Sequence, residues 1–179
     1  MQQVNVLSAL LEISNKEVRL PDYDGFTPLH YAAHNGQEGA LEMLLQGEEG
    51  DQRLRGEKES FTPLHCAVLG GSEQCLALLL AHSSGDVNQP DLHLRTPLHL
   101  AASNGKSILA QKNEMVNLFF FGGMVASGQL LLEQGASLEV QDKAGRTPLL
   151  KAAQGGHANM IELLQVTEVA DGVLSDDTK

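Results

Sequence analysis

His30, His65 and His99, with Cys66 and Cys75, are the residues of this chain best suited to chemistry. Imidazole and thiolate together are the usual ligands of zinc, and a cysteine near a histidine can serve as a nucleophile. Neither pattern is met. The three histidines are 35 and 34 residues apart, one per segment, whereas zinc needs ligands that converge at tight spacing. Cys66, Cys75 and His82 match no zinc spacing, and the two cysteines occupy positions where a helix would face inward, so they read as small buried apolar residues rather than a disulfide framework. Gly105-Lys106-Ser107 looks like the end of a phosphate-binding loop, but the first glycine of that motif would fall on Leu100. Gly123 and Gly128 have the right separation but lead to Gln129 in place of lysine, and neither glycine loop follows a strand. No Ser/His/Asp or Cys/His set stands out. The sequence predicts no catalytic residue, no metal and no cofactor.

The histidines belong instead to a repeated tetrapeptide. Thr27-Pro28-Leu29-His30, Thr62-Pro63-Leu64-His65, Thr96-Pro97-Leu98-His99 and Thr147-Pro148-Leu149-Leu150 start 35, 34 and 51 residues apart. Two gaps lie near a period of about 33 residues and the third carries about 18 more. Each copy reads as a helix start: the threonine can cap an orphan backbone N–H, and proline suits the first helical position, where no N–H is needed. Small residues follow (Ala32-Ala33, Ala67, Ala101-Ala102, Ala152-Ala153), then a stop at Asn35-Gly36, Gly70-Gly71, Asn104-Gly105 or Gly155-Gly156. A second leucine-bearing helix is predicted after each stop, for example at Leu41, Leu44 and Leu45, or at Leu76, Leu79 and Leu80.

The chain as a whole limits what such units can do. Its 179 residues hold 12 Lys plus Arg against 23 Asp plus Glu, a net charge of −11 that repels phosphate backbones and anionic lipid. Nucleic acid and membranes are therefore not expected partners. The longest apolar run, Leu118 to Ala126, is far short of the roughly 20 residues of a membrane span. The opening Met1-Gln2-Gln3-Val4-Asn5 has no signal-peptide pattern, which points to the cytoplasm or nucleus.

Thr-Pro-Leu-His-x-Ala, the Gly stops, Leu130-Leu131-Leu132-Glu133-Gln134-Gly135-Ala136 and the Asp-x-x-Gly before the next Thr-Pro together resemble the ankyrin repeat family, in phase over about residues 5 to 166. The resemblance implies an all-α solenoid of stacked helix pairs with projecting β-hairpin fingers, a concave binding surface and no catalysis by the repeats. It divides the chain into a partial capping repeat at 1–26, repeats at 27–61, 62–95 and 96–146, a partial repeat at 147–166 and an acidic tail at 167–179 expected to be disordered. Within the family, Phe61 to Val68 is similar to the ankyrin arrays that serve as regulatory subunits of a type-6-class serine/threonine phosphatase, which would imply a phosphatase catalytic subunit as partner. The broader reading is a monomeric, non-enzymatic scaffold for another protein.

In the family the partner lies against finger residues just before each Thr-Pro and against an exposed position on each first helix. Carried onto this sequence, the partner-binding residues are Tyr23, Asp24, Phe26 and His34, then Lys58, Phe61 and Leu69. His93, Arg95 and Ser103, and finally Lys143, Arg146 and Gln154, continue the row. Tyrosine, phenylalanine and arginine are residue types that often anchor interfaces. The alternative for Phe26 and Phe61 is that they pack only between fingers.

Three departures put parts of this pattern in doubt. Residues 56–60 lack Asp-x-x-Gly, Leu94 stands where that turn has glycine, and Leu150 replaces the fourth histidine, which predicts a weaker tie there. The insertion, at about 107–124, offers two candidate second helices, Asn113 to Leu118 and Ser127 to Leu132. Looping out 18 residues costs about 2 kcal/mol, whereas unpacking Leu130 to Leu132 costs ~1.5–3 kcal/mol per side chain. The later helix is expected in the stack, with Lys106 to about Gly123 extruded, an extra helix being one form open to it, and Phe119-Phe120-Phe121 partly exposed. An isoform or accidental insertion is preferred to a binding loop.

Overall fold

A computed structural model describes residues 20–46, 60–82, 86–104 and 117–176, with side chains at 20–45, 60–82, 86–104 and 125–168. The capping segment up to residue 19, Lys58 and the Phe119-Phe120-Phe121 side chains lie outside it. Among the described residues there are eight helices and no strand: α1 Pro28–His34, α2 Glu38–Gln46, α3 Pro63–Gly70, α4 Glu73–His82, α5 Pro97–Ser103, α6 Asn117–Glu133, α7 Pro148–Gly155 and α8 Ala158–Asp176.

Each first helix starts as its tetrapeptide dictates. Thr27, Thr62, Thr96 and Thr147 are extended N-caps with proline at the head of the helix. The Oγ1 atoms of Thr62 and Thr96 accept the N–H of His65 and His99 at 3.4 Å. In return, Nδ1 of His30, His65 and His99 accepts the N–H of Thr27, Thr62 and Thr96 at 3.1, 3.1 and 3.2 Å. This is a capping box with histidine in place of the usual Glu or Gln.

The histidine brings a second nitrogen that a carboxylate would not. With Nδ1 accepting, the ring proton sits on Nε2, which donates to the backbone carbonyl of the residue just before the next Thr-Pro: His30 to Phe61 at 3.1 Å, His65 to Arg95 at 3.0 Å, and His99 to Arg146 at 2.9 Å. All three rings are buried. Both nitrogens of each ring are thus consumed by the stack, which leaves none to coordinate a metal. Asn88 adds a tie of its own, donating to the Gly135 carbonyl at 3.1 Å and accepting the Ser137 N–H at 2.7 Å.

Packing follows from the small first-helix faces. α1, α3, α5 and α7 pack each against the next, as do α2, α4, α6 and α8, and each first helix also packs on its own second helix. Ala33, Ala67, Ala102 and Ala152 are fully buried between these rows, while Leu41, Leu76, Leu79, Leu98 and Leu131 fill them. Each such leucine contributes about 1.5–3 kcal/mol by leaving water. The approach of α1 to α3 needs glycine at position 70, where a Cβ would lie 1.9 Å from the carbonyl oxygen of His34. Cys66 and Cys75 are free and buried, and burial pushes the Cys66 thiol up to about 12 and raises that of Cys75. Neither is a thiolate nucleophile near neutral pH.

The insertion leaves the stack intact. Leu131 is fully buried, so the later leucine segment occupies the second-helix slot. Of the segment expected to be extruded only residues 117–123 are described, and they are continuous with the later helix, because α6 begins at Asn117 and runs without a break. Residues 117–123 lengthen the helix, since a helix already nucleated by packed Leu130 and Leu131 extends at little further cost. The acidic end is likewise helical through Asp176 rather than disordered from Thr167. It contains no proline and one glycine, Gly172, so nothing forces α8 to stop earlier. At Leu150 the stack departs from its pattern: the side chain is 53% exposed and has no polar atom with which to make the histidine's bond.

Burial lowers the pKa of His99 below its ordinary 6.5, against the Arg146 carbonyl, which favours the charged ring. The stability this site supplies is whole above pH 6.5 and is lost as pH falls below it, because the unfolded chain then binds a proton that the native ring resists. Thermal unfolding followed by circular dichroism should give a lower midpoint at pH 5.5 than at 7.5. The drop should be smaller in His99→Gln.

Candidate protein-binding face

The fingers are built on an aspartate that folds the chain back over itself. Oδ1 of Asp22 accepts the N–H groups of Asp24 and Phe26, both at 2.9 Å. Asp91 does the same with His93 and Arg95 at 2.7 and 2.8 Å, and Asp142 with Ala144 and Arg146 at 2.9 and 3.0 Å. The backbone closes each tip as a hairpin, with Asp22, Asp91 and Asp142 donating to the carbonyls of Phe26, Arg95 and Arg146 at 2.9, 2.9 and 3.0 Å.

Every tip needs one residue with positive φ. Gly25 and Gly145 supply it at 81° and 71°, but Leu94 adopts 58° and Ser60 54° at the equivalent positions. The doubt raised by Leu94 is therefore corrected: its finger forms, and the backbone strain is borne. For the finger of residues 56–60 only Ser60 is described, and its backbone has the turn conformation.

The second aspartate oxygen holds a side chain. Oδ2 of Asp22 accepts the Tyr31 hydroxyl at 2.7 Å, which lowers the Asp22 pKa and raises that of Tyr31. Arg95 pairs with Asp91 through Nε and Nη2, both at 2.6 Å, and Arg146 with Asp142 at 2.9 and 2.8 Å. Burial of the Asp142 carboxyl would raise its pKa, but the Arg146 guanidinium and the backbone N–H groups of Arg146 and Ala144 outweigh it and hold it at about 2. Arg95 also lies over the Phe61 ring, 5.7 Å from its centroid, and that ring stacks on His65 at 5.6 Å.

These contacts sort the expected residues. Tyr23, His34, His93, Lys143 and Gln154 are exposed on fingers or first helices. Asp24 is half-buried in its finger. Phe26 is half-buried, edge-on to His30 at 5.5 Å, so both phenylalanines pack on the motif histidine that follows them while keeping one side outward. Leu69 packs against the core, and Ser103 donates to the Leu100 carbonyl at 3.2 Å. Arg95 and Arg146 hold the finger aspartates while keeping part of their side chains outward, 25% and 37% exposed, and Arg146 also donates to Gln154 at 3.2 Å.

Sequence reasoning missed Tyr31 and Lys151. Both occupy the position after the fourth motif residue, where Cys66 and Leu100 are buried. A polar or aromatic residue at a position that is otherwise small or apolar was the available signal. Lys151 joins His93, Arg95, Asp142, Lys143, Ala144 and Arg146 around an open cleft of ≈ 300 Å³ between the last two described fingers.

A sequence family described as ankyrin repeats in many copies matches residues 2–45 and 119–165, and one described as ankyrin repeats in three copies matches residues 49–123. The human transient receptor potential cation channel subfamily A member 1 is 34% identical over 148 residues, which are 83% of this chain and 12% of that protein. The chain thus spans about an eighth of the curated relative it matches. The likeness to phosphatase regulatory subunits finds no support in these matches.

The strain at Leu94 is measurable. A non-glycine residue in the left-handed region costs about 1–2 kcal/mol, and the greater unfolded-state entropy of glycine returns part of that. With its side chain 45% exposed, Leu94→Gly should gain about 0.5–1 kcal/mol in urea unfolding. A loss would mean that the Leu94 side chain contributes more than its backbone costs.

Proposed function

The chain belongs to the ankyrin repeat family, and on that premise we propose that it is a non-enzymatic module that binds a partner protein along its finger tips and the exposed positions of its first helices. Ankyrin repeats generally mediate protein–protein interaction, and no enzyme family is indicated. The observation that carries the reading is the division of labour in each unit. The motif histidines and the finger aspartates Asp91 and Asp142 are buried and spent on the fold, as the exposed Asp22 is spent on its own finger and Tyr31, whereas Tyr23, His34, His93, Lys143 and Gln154 stand outward on fingers or first helices. Such a row differs from unit to unit where the framework does not, which is how a repeated scaffold acquires a particular partner.

The compartment proposed is the cytoplasm or nucleus, with which two buried free thiols agree. No described helix is long and apolar enough to cross a membrane.

Quantitative affinity capture with the full chain tests the proposal. Replacing Tyr23, His34 and Gln154 together by alanine leaves every histidine and aspartate tie in place. Partner recovered should fall about tenfold or more, at an unchanged circular dichroism spectrum, since a few central residues carry most interface energy. Undiminished recovery by the folded variant would contradict the face.

A further inference from the structure

We infer that the cleft between the fingers of residues 91–95 and 142–146 binds a carboxylate-rich segment of the partner protein, an inference that rests on the protein-binding reading above. Every lysine and arginine among the described residues lines this one cleft: Arg95, Lys143, Arg146 and Lys151, with His93 beside them. In a chain of net charge −11 that concentration is a local reversal of sign. The one carboxylate in the cleft wall, Asp142, is buried and already held by Arg146, so it does little to cancel the two lysines. A concave site lined by one sign of charge focuses its field on the approaching ligand.

The geometry points to carboxylates spaced along a peptide rather than to a phosphate. Arg95 and Arg146 turn their Nε and Nη2 edges to Asp91 and Asp142, which uses the fork that would clamp a phosphate in bidentate fashion. Lys143 on the tip and Lys151 on α7 act as separate point charges, suited to successive acidic side chains. The volume, ≈ 300 Å³, is at the small end for a small-molecule site, and the cleft is open. Its walls are held together by the Lys143 N–H, which donates to the His93 carbonyl at 2.9 Å, so little ordering is left to be done on binding. A nucleic-acid strand would meet the acidic remainder of the chain on either side, whereas a short segment need engage only the cleft.

The test is fluorescence anisotropy of the full chain with a labelled Asp/Glu-rich peptide, a Lys-rich peptide of equal length and a short single-stranded RNA. The acidic peptide should bind saturably and weaken as salt rises from about 50 to about 300 mM. It should lose about tenfold or more in affinity to Lys143→Glu combined with Lys151→Glu, while the other two probes bind less well than it does. No binding of the acidic peptide, equal binding by the folded double variant, or tighter binding of RNA or the Lys-rich peptide would overturn the inference. The two readings fail separately: a captured partner lost on substitution of Tyr23, His34 and Gln154 but unaffected by the double reversal would remove the acidic-segment assignment and leave the protein-binding face standing.

Discussion

The bond from a histidine Nε2–H to the backbone carbonyl just before the next Thr-Pro is the constraint on which the rest of this structure depends. It is made three times, at 3.1, 3.0 and 2.9 Å, by rings whose other nitrogen is closing the N-terminus of their own helix. One neutral imidazole therefore settles an intra-unit cap and an inter-unit spacing together. Burial makes the arrangement demanding, because a lost partner would leave a desolvated nitrogen or carbonyl unsatisfied. The third bond runs from His99 to Arg146 and spans the insertion, so about 18 additional residues leave the spacing of the two flanking units like that of the others.

The acceptors matter as much as the donors. Phe61, Arg95 and Arg146 are the residues at which each finger returns to its helix, and it is their carbonyls that the histidines hold. The fingers of residues 91–95 and 142–146 are thereby set against the helices that carry His65 and His99, and their tips are set in turn by Asp91 and Asp142. The side chains of the same three residues lie on the finger side, with Arg95 over Phe61. The face proposed to bind a partner is accordingly positioned by backbone bonds, while its side chains are left to vary. A binding surface on such a support loses little entropy when occupied.

Much of this was legible in the sequence, for a physical reason: a repeat states each rule several times. Thr-Pro for the helix start, alanines for close approach and glycine stops need no tertiary knowledge, and their recurrence gave His30, His65 and His99 a place in the repeat before any contact was known. What failed were arguments from a single deviation. Leu94 looked incompatible with its turn, yet five hydrogen bonds around Asp91 hold the strained φ, an energy that local propensity cannot reveal. Residues 117–123 looked extruded from the stack, with a helix of their own open to them, and instead continue α6, because a packed helix recruits its neighbours. The cleft was half visible: His93, Arg95, Lys143 and Arg146 were readable from their places before Thr-Pro, but Lys151 stands on a helix position that is buried in the two preceding units.

If the histidine link is the organising contact, the protonation of the rings is dictated by their partners. Nitrogen-15 NMR of the imidazoles of His30, His65 and His99 at neutral pH reads this directly, through the separate shifts of the two ring nitrogens and the exchange of their protons. The structure requires neutral rings with Nδ1 bare, the proton on Nε2, and slow exchange of that proton with water. Rings protonated on Nδ1, doubly protonated, or averaging freely between tautomers would show that the bonds from unit to unit are not made, and that packing alone aligns the stack.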